Sequence, residues 1–212
     1  AFPKTFQQIS SLVFIDTKVK NYQQLFDGLV SEAQPFLIDT VTDSIQQISQ
    51  ILQQYPGQKT VEIISHGSPG CLYLGNTRLS LDTLKQYAPQ LQLWDISNLV
   101  LYGCYVAAGD AGEEFIDKLH QLTGAEIAAS KSLTGAVVKG GNWELEVRTS
   151  QRKPSLALQV ETMASYPDTL NLQLEWAKQI GGRSPDYADS ITTDSSDNVL
   201  VGGYYRGSID ID

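Results

Sequence analysis

The sequence is poor in the residues that announce most chemistries. Its 212 residues include two cysteines, two histidines and one methionine. Two cysteines, Cys71 and Cys104, are too few for the disulfide framework of a small secreted scaffold. Only 18% of residues are charged, and 15 Lys and Arg against 24 Asp and Glu leave a net charge of −9. Neutralising phosphates takes clustered cations, and the nearest thing to a cluster is Arg152–Lys153, so no nucleic-acid partner is expected. No apolar run reaches the roughly 18–20 residues that cross a bilayer, so no membrane span is expected either. Paired Cys-x-x-Cys and His-x-x-x-His spacings are missing. His66, Cys71 and Cys104 remain as a conceivable but unpatterned zinc set, and the expectation is no metal and no cofactor. Asp194, Asp197 and Asp210 read as turn formers, because no full calcium-loop spacing surrounds them. The abundance of Gln, Ser, Thr and Asn over Lys suggests an extracellular or cell-surface setting.

Against these absences, 42% of the chain is hydrophobic, enough for a sizeable core. Its apolar residues alternate between strand and helix patterns. Ser11–Ile15 is an apolar run ending at Asp16, and Pro35–Ile38 is a second ending at Asp39. Tyr22, Leu25, Phe26 and Leu29 recur at helical spacing. Ser44 with Gln47 fits a capping box ahead of Ile45, Ile48, Leu52 and Tyr55. Thr60–Ile64 is a third strand running into Ser65-His66-Gly67. Ser80 caps a helix carrying Leu81, Leu84, Tyr87 and Leu91, and Asn98–Tyr102 is a fourth strand running into Gly103-Cys104. Phe115, Ile116, Leu119 and Leu122 mark a helix closed by Gly124, with His120 placed to meet its C-terminal dipole. Ala125–Ala129 is a fifth strand, and Trp143–Val147 alternates like an edge hairpin strand. Such alternation predicts an α/β domain over residues 1–147, a mostly parallel sheet with helices on both faces. Residues 148–170 read as a connector able to donate one strand. Residues 171–212 change character again, with Asp197-Asn198 as a hairpin turn between alternating segments.

In parallel sheets, ligands collect at the carboxyl ends of the strands. Asp16, Asp39, His66 and Cys104 all fall there. A cysteine nucleophile needs a base, and donors for the developing oxyanion. His66 precedes Gly67, so the next amide can approach a substrate oxygen with no Cβ in the way, and Cys104 follows Gly103.

Thr60-Val-Glu-Ile-Ile-Ser-His-Gly67 and Leu99-Val-Leu-Tyr-Gly-Cys104 together resemble the signature of the caspase, gingipain, clostripain and separase clan. Cys71–Asn76 and Leu79–Leu84 resemble caspase-like domains fused to helical repeats. Residues 11–147, through Ser65–Gly70, Val106–Gly109 and Thr123–Ala125, resemble an uncharacterised domain at the amino terminus of very large bacterial surface proteins. The resemblance implies Cys104 as nucleophile, His66 as general base, and the backbone amides of Gly67 and Cys104 as the oxyanion hole. The clan often carries an acidic residue where Tyr102 stands, which leaves the primary specificity open; Asp16 and Asp39 are candidates for a negative pocket floor favouring Arg or Lys. With right-handed crossovers, the resemblance also predicts the strand order second-first-third-fourth-fifth. Cys104 is then expected as a free thiol within about 4–6 Å of His66. Residues 171–212 resemble one copy of a bacterial β-propeller repeat, an all-β piece that cannot bury Trp176, Ile180, Ile191, Val199 and Val201 by itself.

The expected function is therefore a Cys-His endopeptidase acting on a peptide or protein, either its own chain or neighbouring surface proteins. Self-association through residues 171–212 is also expected. The alternative is a non-catalytic surface or adhesion module keeping the caspase-like fold. Blander roles stay open: His66 as a strand-end residue, Cys104 as a buried small hydrophobe or in a disulfide with Cys71, Asp16 as a turn former, and Trp94, Trp143 and Trp176 as core.

Overall fold

A computed structural model describes residues 9–172, 187–193 and 199–204. The expectations placed on Trp176, Ile180, Asp194, Asp197, Asn198 and Asp210 lie outside these residues. The chain divides into two compact units, one ending at Leu172 and the other beginning at Gln173.

The first unit runs β1 (Ser11–Asp16), α1 (Tyr22–Asp27), β2 (Ala33–Ile38), α2 (Ser44–Gln54), β3 (Thr60–Ile64), β4 (His66–Ser68), β5 (Cys71–Leu74), β6 (Thr77–Ser80), α3 (Leu81–Leu91), β7 (Asn98–Leu101), α4 (Gly109–Thr123), β8 (Glu126–Ala129), β9 (Val147–Arg148) and α5 (Val160–Ser165). The main sheet has the order β2-β1-β3-β7-β8-β9. The first five strands are parallel, in the predicted order, and β9 is antiparallel. The inner strands read as unbroken apolar runs because both faces are covered. On one face Phe14, Ile63, Leu101 and Ile127 pack against α2, α3 and α4. On the other, Val13, Ile64, Val100 and Ala128 pack against Leu25 of α1 and against residues 145–170. The 148–170 segment thus contributes to this unit's core through Ala157, Leu158, Tyr166 and Leu170.

Two local details differ from the sequence-based expectation. The N-cap of α2 is Asp43, whose carboxylate accepts from the Gln46 N–H at 2.9 Å. Ser44 is drawn into a tertiary contact instead: its hydroxyl donates to the Leu74 carbonyl at 2.7 Å. Within the alternating stretch Trp143–Val147, only Val147 joins the ladder, together with Arg148. Glu146 turns aside to accept from the Lys131 N–H (2.9 Å) and the Ser132 hydroxyl (2.6 Å), which takes the chain off the sheet edge.

Strands β4, β5 and β6 form a separate antiparallel sheet that springs directly from the end of β3. Ser80 stands at the N-cap of α3, where its N–H donates to Thr83 Oγ1 at 2.9 Å. His120 does not meet the end of its own helix alone; its Nδ1 pairs with the Ala125 carbonyl at 2.7 Å. In the second unit, β10 (Tyr187–Thr193) and β11 (Val199–Tyr204) pair antiparallel, with Tyr187 and Tyr204 stacked at 4.8 Å. Among the described residues, no helix is long and apolar enough to cross a membrane.

Candidate functional site

The carboxyl rim of the main sheet is where β3 hands over to β4 and where β7 ends in Tyr102-Gly103-Cys104. Two glycines meet there. A Cβ on Gly67 would lie 2.8 Å from the Cys104 carbonyl oxygen and 2.6 Å from Val106 Cγ2; a Cβ on Gly103 would lie 3.1 Å from Gly67 Cα. Neither contact leaves room for a side chain. The glycines therefore let the His66-Gly67 and Gly103-Cys104 segments close on each other, and this is the physical content of the His-Gly and Gly-Cys pattern.

Both cysteines are free, and Cys104 is fully buried. Its Sγ accepts the Thr134 N–H at 3.2 Å, and its S–H faces the Thr134 carbonyl at 3.5 Å. Burial pushes the thiol above its ordinary value, while backbone groups of Thr134 and Leu170 and the Thr134 hydroxyl pull the other way.

His66 and Cys104 are not hydrogen-bonded to each other. His66 Nδ1 lies 3.1 Å from the Leu170 carbonyl oxygen, and Nε2 lies 3.3 Å from that of Lys18. A neutral imidazole can donate to only one of them; the protonated ring can donate to both.

The other candidate residues have duties within the fold. Asp16 is buried and spends both oxygens: Oδ1 accepts from the Lys18 N–H and Oδ2 from the Gly75 N–H, each at 2.9 Å. Asp39 is exposed and caps its own turn, accepting from the Val41 and Thr42 N–H groups and from Gln47. The Thr42 and Val41 bonds hold its carboxyl below the usual range. Cys71 lies in β5, where it accepts from Arg78 Nε at 3.4 Å. No group of three His, Cys, Asp or Glu able to hold a metal ion occurs among the described residues.

Sequence reasoning missed the residues that cover the rim. Residues 166–171 cross it, bending at Asp168 and Leu170. Leu170 N–H donates to the Thr134 carbonyl (2.9 Å), Ala136 N–H donates to the Asp168 carbonyl (2.8 Å), Thr169 bridges Gly135 antiparallel, and Asn171 bridges Gly67 in parallel. Tyr166, Asp168, Thr169 and Leu170 are all buried, while Pro167 is exposed. The Tyr166 hydroxyl donates to the Lys20 carbonyl at 2.6 Å. Asp168 pairs with Lys139 and accepts from Asn21 Nδ2, and the Lys139 bond, foremost, lowers its carboxyl. Trp143 lies edge-on to both Tyr102 and Tyr166 and donates to the Met163 carbonyl. The stretch carries no sequence signal of a cover, because Pro167 and Asp168 make it read as a turn.

Behind the rim, Glu62 of β3 is buried. It accepts from the Tyr102 hydroxyl at 2.5 Å and from the Ala157 N–H at 3.0 Å. Burial raises its carboxyl, and the Tyr102 and Ala157 bonds oppose that rise. This network ties β3 and the end of β7 to Ala157 of the 148–170 segment.

No curated protein matches the chain. Residues 175–204 match the model of a β-propeller repeat, and residues 12–170 match the model of a domain of unknown function, DUF4347. The domain order is thus a DUF4347 region followed by one propeller-type repeat. Because the match over residues 12–170 spans more than half of its length, the chain belongs to the DUF4347 family.

Proposed function

We propose that the chain is a caspase-like cysteine endopeptidase with Cys104 as nucleophile and His66 as base. The observation that carries this reading is the face-to-face packing of Gly67 and Gly103, which draws one histidine and one cysteine to a common rim. In the reaction, His66 takes the thiol proton and Cys104 sulfur adds to a peptide carbonyl carbon. The tetrahedral oxyanion faces the amides of Gly67 and Cys104. Its collapse breaks the C–N bond, and the proton on His66 goes to the leaving amine. Water, deprotonated by His66, then releases the acyl group as a carboxylic acid and returns the thiol. The substrate is a peptide segment of the same protein or of a neighbouring surface protein. The second unit supplies a means of association: Ile191 and Val201 of its hairpin are 73% and 44% exposed, as befits a repeat made to pack on other repeats.

A second reading, a non-catalytic surface or assembly module, draws support from one observation. Cys104 is buried with its thiol pushed up, and His66 is bonded to backbone carbonyls. The two readings part on turnover. Leu170 lies beside the thiol, so the test uses the chain carrying Leu170→Ala and an unfolded protein such as reduced casein. Cleavage lost on adding either Cys104→Ala or His66→Ala supports the peptidase. No cleavage, or cleavage indifferent to both changes, supports the module.

A further inference from the structure

The segment over the rim is held as a bound peptide is held. It shares backbone pairing with Gly67 on one side and with Thr134–Ala136 on the other, and it sinks one large aliphatic side chain. Peptide-binding sites of the strand-adding type work this way: main-chain bonds give affinity, and pockets for alternate side chains give selectivity. Leu170 is fully buried, in the cluster that contains Tyr102, Cys104, Leu145 and Tyr166. Its carbonyl holds His66 at Nδ1, and its amide lies on Thr134, the residue that holds Cys104. One residue of the strap thus engages both members of the dyad through its backbone.

The groove wall is shaped for close approach. Gly135 has φ +125°, and a Cβ there would lie 2.3 Å from the Asp168 carbonyl oxygen, so only glycine lets the strap lie so near. Asp168 fastens it at two polar points, Lys139 and Asn21.

We infer that residues 166–171 occupy the peptide groove of the Cys104–His66 site as a built-in substrate mimic, so that the resting chain is self-blocked and the groove selects peptides with a leucine-like side chain at the place of Leu170. The inference rests on the peptidase reading for the word substrate. It stands apart from that reading as a statement about who covers Cys104. A leucine-sized apolar pocket also bears on specificity: the side chain beside the dyad is aliphatic, whereas the carboxylates of Asp16 and Asp39 are engaged elsewhere.

The test is the rate of iodoacetamide reaction at Cys104, read by peptide mass spectrometry with Cys71 as internal control, in the full chain. Two changes open the groove from opposite sides: Leu170→Ala empties the pocket, and Gly135→Ala pushes the strap away. Each is expected to raise the Cys104 rate at least tenfold and leave Cys71 unchanged. A synthetic peptide with the sequence of residues 166–172 is expected to bring the Leu170→Ala rate back down at least fivefold; the same peptide with glycine in place of its first leucine is not. The inference is overturned if Cys104 stays unreactive in both variants, if both cysteines become reactive together, or if the peptide gives no protection. The peptidase reading is judged separately by adding His66→Ala to Leu170→Ala. A slower Cys104 reaction supports an activated pair; an unchanged rate removes it while the strap assignment stands.

Discussion

Cys71 and Cys104 are both free thiols, at 2% and 0% exposure, and they sit in two differently built regions. Cys71 belongs to the small hairpin sheet, facing Ser80 across a local ladder and meeting Arg78 from the adjoining strand. Its ladder partners, Ser68 and Ser80, and its side-chain partner, Arg78, come from nearby in the chain. Cys104 belongs to the carboxyl rim of the parallel sheet, where its neighbours are Gly67, Thr134 and Leu170. Burial does not tell the two apart. What differs is the cover: a local hairpin over Cys71, and over Cys104 a strap anchored at separate points on loops around the rim. A cover held by a few anchors can be displaced without unfolding the sheet beneath it; a ladder cannot.

The largest expected effect tests whether the rim region hangs on its buried network. Glu62→Ala leaves the Tyr102 hydroxyl and the Ala157 N–H without their acceptor, and should cost about 2–5 kcal/mol in urea unfolding. Glu62→Gln keeps an acceptor and should cost much less at neutral pH. The sign with pH follows from the raised carboxyl. The folded state holds the proton more tightly than the unfolded state, so this group's contribution is full below about 4.5 and is lost as pH rises through the folded value. The wild type should therefore weaken with rising pH relative to Glu62→Gln. Equal slopes would contradict the burial of Glu62.

Next in size is Gly67→Ala, whose Cβ meets the Cys104 carbonyl and Val106. Overpacking of this kind should cost about 1–3 kcal/mol and spread the two rim segments. A neutral substitution by thermal unfolding would mean that the glycines do not set their approach.

Much of this comparison was legible in the residues. Unbroken apolar runs such as Leu12–Ile15 and Leu99–Leu101 mark strands covered on both faces, and right-handed crossovers then order them. His-Gly and Gly-Cys at strand ends pointed to the rim. The strap was not legible, because Tyr166-Pro-Asp-Thr carries turn residues and its partners, Gly67 and Thr134–Ala136, are remote in sequence. Thr134 gave no signal, since what matters there is mainly its backbone. Asp16 and Asp39 were ambiguous for a physical reason: a carboxylate at a strand end serves a turn or a ligand equally well, and both here accept backbone N–H groups.

The smallest effect is one of pH on reactivity. With its thiol pushed up by burial, Cys104 should react with iodoacetamide along a curve whose midpoint lies above the ordinary thiol value. Opening the strap should move that midpoint down. A midpoint unmoved in Leu170→Ala would mean that the strap is not what desolvates the thiol.

The central claim, that Cys104 and His66 act as a nucleophile and its base, is tested most directly by trapping the acyl-enzyme. The Leu170→Ala chain is incubated with the N-acetyl-leucine thiobenzyl ester, and its intact mass and tryptic peptides are recorded. The account predicts one acetyl-leucyl adduct, on Cys104, formed far more slowly when His66→Ala is added and absent from Cys71. An adduct on Cys71 alone, or one on Cys104 that forms equally fast without His66, would contradict it.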